Sequence, residues 1–163
     1  GRFVSKDNVN ALNRYFYADD DPVNWVDPMG LWVIKIGFHG ILGSIAGGHT
    51  ESGWTFGYSK ECGWTSGTYS EMGAGGEAGA TASASISFSF GPTQKSVADL
   101  EGAYIASGGS GGEGLVVGGE VVGSDSGVVV SGSIGFGGGS PVEVHSQVGY
   151  TSVNVKNKGK CKE

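Results

Sequence analysis

Long stretches of the chain alternate between apolar and small or polar side chains. Between residues 78 and 90, Ala78, Ala80, Ala82, Ala84, Ile86, Phe88 and Phe90 alternate with Gly79, Thr81, Ser83, Ser85, Ser87 and Ser89. Successive side chains of a strand point to opposite faces, so this pattern predicts one long strand with an apolar face and a hydroxyl face. Trp32, Ile34, Ile36 and Phe38 share one parity, as do Trp54, Phe56 and Tyr58. Val128, Val130, Ile134 and Phe136 repeat the pattern, and Val142, Val144, Val148 and Tyr150 alternate with Glu143, His145, Gln147 and Thr151. Gly123-Ser124-Asp125-Ser126-Gly127 reads as a hairpin turn, and Pro92 and Pro141 sit at strand edges. Only Thr93 to Tyr104 has the pattern of a short helix. The expected fold is all-β: a Gly-rich antiparallel barrel or sandwich of roughly seven to nine strands.

Composition sharpens this picture. Gly accounts for 33 of 163 residues, and nearly all of it lies beyond residue 31. Glycine weakens strands unless the sheet bends sharply or backbones approach closely. Low charge with alternating small polar and apolar residues also resembles membrane β-barrel strands, which cross with about 9–11 residues. A soluble sandwich with a wet Ser/Thr face fits the alternation equally, and for the fold alone it is the preferred expectation. One internal repeat is visible: Glu51-Ser52-Gly53-Trp54-Thr55-Phe56-Gly57 recurs as Glu61-Cys62-Gly63-Trp64-Thr65-Ser66-Gly67, and Glu71-Met72-Gly73 begins a third copy. It is expected to form a pair of similar hairpin arms. Trp54, Trp64, Tyr58 and Tyr69 suit a sugar-stacking or membrane-interface surface, but core packing is the ordinary role of aromatics at this spacing.

Three regions follow: residues 1–31, the Gly-rich residues 32–155 and a Lys-rich tail, 156–163. The middle region is acidic, and residues 32–163 contain no Arg, which disfavours nucleic acid as a partner. The chain does not begin with Met and shows no signal-peptide pattern, so it is expected to be an internal piece of a longer protein.

Few residues suggest chemistry. His39 and His49 lie near Glu51, a combination that could hold a metal or run acid–base catalysis. Their spacing matches no metal signature, and surface or hairpin histidines are the ordinary explanation. His145 stands between valines on the polar side of its strand. No G-x-S-x-G elbow, H-E-x-x-H helix or P-loop occurs, and no cofactor is expected. Cys62 and Cys161 are the only cysteines; they either bridge the tail to the repeat or both stay reduced.

The front segment carries a resemblance. Gly1-Arg2-Phe3, Ser5-x-Asp7, Asn13-x-Tyr15-x-Tyr17, Asp21-Pro22-Val23-Asn24 and Asp27-Pro28-Met29-Gly30-Leu31 resemble, in order, the end of the RHS-repeat-associated core domain. The resemblance covers about a fifth of the chain, and its motifs occur one after another as in the family. It implies a plug segment closing a large β-shell, followed by a variable domain that is usually a toxin. It also implies self-cleavage between Leu31 and Trp32 by an aspartyl-protease-like pair, by position Asp7 and Asp27. Two close carboxylates share a proton, so one serves as base and the other as acid. Asp27 sits in an intact motif. Asp7 sits in Asp7-Asn8-Val9-Asn10, which lacks the motif's Pro and Gly; without cleavage, both would be turn-forming residues.

The expected function is therefore the effector region of an RHS-type polymorphic toxin, secreted or delivered into competing cells. Its expected partners are the upstream RHS shell, a cognate immunity protein and the target-cell membrane. Strand insertion into that membrane, with pore formation, is the leading mechanism. A metal-assisted hydrolase using His39, His49 and Glu51 is the second, and a non-toxic β-sheet binding module the third.

Overall fold

A computed structural model describes residues 31–79, 81–139 and 142–161. Residues 31–163 make one compact unit. Asp7 and Asp27 lie outside the described residues.

The unit is a closed barrel of eight antiparallel strands: β1 (Trp32–Gly43), β2 (Ala46–Ser59), β3 (Gly63–Ala78), β4 (Thr81–Gly91), β5 (Gly102–Gly111), β6 (Gly114–Ser124), β7 (Gly127–Gly139) and β8 (Val142–Asn157). Their order around the wall is β1-β2-β3-β8-β5-β6-β7-β4, with β4 pairing back onto β1. The fold is thus all-β and a barrel, not a sandwich.

The register is strongly staggered. Ala46 on β2 is linked through Gly76, Ser146, Ser107, Val121, Val130 and Phe90 to Ile34 on β1. The β2 partner of Ile34 is Phe56, ten residues beyond Ala46. Such a stagger in an eight-stranded wall tilts the strands by about 40° and leaves a lumen that side chains can fill.

Two sequence expectations change. The predicted single strand over residues 78–90 is split: β3 ends at Ala78 and β4 begins at Thr81. Gly79 adopts φ 116°, outside the extended region, so the alternation of alanine with small residues runs through a break in the strand. The predicted helix over Thr93–Tyr104 reduces to a 3-10 turn, Val97–Leu100, and Tyr104 already belongs to β5. Ser96 caps that turn: its hydroxyl accepts from the Ala98 N–H, and the Asp99 carboxylate accepts from the Ser96 N–H.

The apolar core is small and lies at one end. Val33, Tyr104, Ala106, Val122 and Val129 pack with Val97 and Leu100 of the 3-10 turn, flanked by Val153 and Val155. This end, where β1 begins and β8 finishes, is the near mouth, and the 3-10 turn plugs it. The opposite end is the far mouth.

Candidate functional site: a polar lumen inside an apolar wall

The faces of the strands are distributed in an unusual way. On β4, Ser87 and Ser89 are buried while Ile86, Phe88 and Phe90 are exposed. On β1, Lys35 is 2% exposed, between Ile34 and Ile36 at 37% and 36%. On β8, Glu143, His145, Gln147 and Thr151 are buried while Val142, Val144, Val148 and Tyr150 are exposed. The Ser/Thr face expected to be wet is therefore the lining of the lumen. Trp54 and Trp64 are exposed on the outer wall, and only Tyr69 of the four aromatics expected in a core is fully buried.

Charge follows the same division. Lys35, His39, His49, Glu51, Glu71, Glu77, Glu120, Glu143 and His145 all share the inward parity of their strands. Among the described strand residues, Lys156 at the near mouth is the single charge on an outward position. A buried charge is costly unless paired, and most of these fall into three groups; Glu77 keeps one carboxylate oxygen without a hydrogen-bond partner, and burial, together with His49, lowers the His39 pKa to about 4.

The first group lies next to the core. Lys35 donates to Glu71 at 2.5 Å and stands 3.7 Å from Glu51. The Tyr69 hydroxyl donates to Glu51, and the Thr151 hydroxyl donates to Glu71 at 3.0 Å. Lys35 also lies 4.7 Å from the Tyr69 ring centre. The repeat explains this assembly: Glu51 and Glu71 occupy facing positions on β2 and β3. The middle copy, Glu61, falls outside the barrel wall and pairs with Lys95.

The second group is centred on His49. The Gln147 amide N–H donates to Glu77, so the Gln147 amide oxygen is the atom that faces His49 Nδ1. His49 therefore donates from Nδ1 and accepts at Nε2 from the Tyr104 hydroxyl, 2.8 Å away. In the third group His145 places Nδ1 2.7 Å from Glu143 and Nε2 3.0 Å from Glu120, and Ser110 donates to Glu143 at 2.8 Å.

The three sequence candidates separate. His39 and His49 face each other with ring centres 5.5 Å apart, but Glu51 is engaged by Tyr69 and Lys35. Among the described residues no group of three or more His, Cys, Asp or Glu is placed to hold a metal ion. His39, Glu51, Glu120, His145 and the hydroxyls of Ser87, Ser131 and Ser133 surround a cavity of about 20 Å³. That is room for about one water, not for a substrate. Sequence reading missed the Glu143–His145–Glu120 set. Its signal was the shared parity of Glu143 and His145; Glu120 joins only through barrel closure.

Glycines make room for the large lumen groups. A Cβ on Gly37 would overlap the Tyr69 hydroxyl, and one on Gly149 would overlap the Tyr104 ring and hydroxyl. The two cysteines, left open by the sequence, form a disulfide that ties the C-terminal tail to the β2–β3 turn at the near mouth. No protein-family model, curated protein or solved structure matches the chain.

Proposed function

We propose that residues 31–163 are a membrane-inserting β-barrel and form the effector part of an RHS-type polymorphic toxin. The observation that carries insertion is the partition of side chains: an outer wall that is largely apolar, interrupted by the hydroxyl row Ser52, Ser70 and Ser152 and by Lys156 near one end, around a lumen that holds the other strand charges. Water favours the opposite arrangement, whereas a bilayer demands this one, because only paired backbone and apolar side chains are tolerated against lipid. Every strand has 10 to 16 residues, enough to cross when about 9–11 tilted residues suffice. The toxin reading rests on the RHS-like motifs of the front segment, and an immunity protein in the producer follows from it.

The lumen in this conformation is occupied by side chains and plugged at the near end by Val97 and Leu100, while a hollow lined by Ile45, Glu77 and His145 opens at the far mouth. A single barrel inserts without opening a solute pathway, so conductance requires the plug and the lumen groups to rearrange.

The test uses the 163-residue chain with liposomes. Flotation with the vesicles and quenching of tryptophan by brominated lipid, diminished in Trp54→Phe, are the expected results. A chain that remains monodisperse in detergent-free buffer and neither floats nor is quenched overturns the reading. Expression directed to the periplasm tests toxicity: unimpaired growth with inserted protein removes the toxin part and leaves the barrel.

A further inference from the structure

The two mouths of the barrel differ in kind. The near mouth holds most of the charge outside the lumen: Lys60 and Glu61 in the β2–β3 turn, Lys95, Asp99 and Glu101 around the plug, Asp125 in the β6–β7 turn, and Lys156, Lys158 and Lys160 at the tail, five lysines against four acids. Trp32, Tyr58 and Trp64 form a contiguous aromatic cluster just above it, with ring centres 5.4 to 6.5 Å apart. Such rings favour the boundary between headgroups and hydrocarbon. The Cys62–Cys161 bridge and both ends of the barrel's chain, Trp32 and Asn157, are also at this mouth.

The far mouth is the reverse. Its β1–β2 turn is Ser44-Ile45, with Ile45 86% exposed, and Leu42 and Phe136 beside it are exposed to 72% and 74%. Gly79, between β3 and β4, lies at the same end. Among the described residues of these connections Glu113, in the β5–β6 turn, is the one charge, and the Glu77 carboxylate also lies at this end, beside Gly43 and Gly47, with the Glu77 N–H donating to the Ile45 carbonyl.

Building on the insertion reading, we infer that the barrel enters a bilayer far mouth first, and that the near mouth stays at the leaflet where the protein arrives. Whatever crosses must pass through hydrocarbon, where each charge opposes passage and each apolar side chain favours it. The far mouth, whose tip is apolar and whose charges are the Glu113 and Glu77 carboxylates, comes closer to that condition. The near mouth carries most of the charges and the covalently tied tail, and its lysines meet anionic headgroups beneath the aromatic cluster. The lipid partner is therefore an anionic bilayer reached from one side, and the orientation is single.

The test places one reporter cysteine at each mouth, in separate chains; the native pair supplies no free thiol. Ser44→Cys and Asp125→Cys are bound to phosphatidylethanolamine/phosphatidylglycerol vesicles, floated, and exposed to a membrane-impermeant maleimide. Asp125→Cys is expected to label at once, and Ser44→Cys only after detergent is added. Equal labelling of the two in floated vesicles, or the reverse order, overturns the orientation while leaving insertion intact. Absence of flotation overturns insertion and orientation together. As a second arm, Ile45→Glu is expected to slow insertion by about tenfold, with the near-mouth control Asp125→Asn not slowed. Equal slowing by both variants overturns the inference.

Discussion

Lys35 on β1 and Glu71 on β3 meet at 2.5 Å inside the barrel, although β2 separates their strands in the wall. The contact crosses the lumen and holds Glu51 as well, at 3.7 Å. It is the ion pair on which the near half of the lumen is organised.

Removing one partner from a buried pair is expected to destabilise by about 3–5 kcal/mol. Lys35→Met leaves Glu51 and Glu71 without their cation, whereas Glu71→Gln leaves Lys35 with Glu51. Lys35→Met is therefore expected to be the more damaging. Urea unfolding in detergent micelles measures both, and a larger loss for Glu71→Gln would contradict this lumen arrangement.

The outer wall makes an opposite prediction. Phe88→Arg puts a charge on the apolar face between Ile36 on β1 and Gly132 on β7. In a bilayer it is expected to cost about 2–4 kcal/mol near the midplane, falling to about 0–1 kcal/mol near the headgroups. Asn154→Arg, outward on β8 near its end, is the shallow control. Equal folding yields of the two variants in liposomes would argue against lipid on that face.

Gly37→Ala drives a methyl group against Tyr69. Overpacking of this kind is expected to cost about 1–3 kcal/mol. Combining it with Tyr69→Phe removes the hydroxyl that is struck, so the double variant should be more stable than the sum of the two singles. Strict additivity, measured by thermal unfolding, would mean that the two residues do not meet.

The disulfide closes a sequence separation of 99 residues. For a loop of about that length, the chain-entropy account puts its contribution at up to about 4.7 kcal/mol. Reductant is expected to lower the unfolding midpoint of the parent chain and to leave Cys62→Ser unaffected. A midpoint indifferent to reductant would show that the bridge contributes nothing.

Gln94 is fully buried beside the plug, and its amide has no hydrogen-bond partner. Gln94→Met exchanges an unsatisfied polar group for an apolar one of similar length. A gain of about 1–3 kcal/mol is expected, read as a raised midpoint; a loss would mean that a water or another group satisfies the amide.

Much of the wall was legible in the sequence, and much of the lumen was not. The alternation of β1, β2, β7 and β8 is local, so their strand character and the grouping of residues by face could be read directly. The break at Gly79 could not, because alanine recurs at every second position, 78, 80, 82 and 84, straight through it. The lumen groups join residues far apart in sequence: His49 meets Gln147, and Glu120 meets His145. Neither spacing resembles a motif. His39, His49 and Glu51 were visible as neighbours in the chain, yet Glu51 spends its carboxylate on Tyr69 and Lys35.

By itself the sequence determined that the chain makes strands and that each strand has one apolar and one polar side, because a period of two is a property of the extended backbone. Which side faces inward was decided only when the sheet closed. Alternation is the same whichever face is concave, and the staggered register alone brings Lys35 to Glu71 and leaves Phe38, Phe88 and Ile134 on the outside. The contrast between a charged mouth and an apolar one is likewise tertiary: it depends on which turns share an end of the barrel.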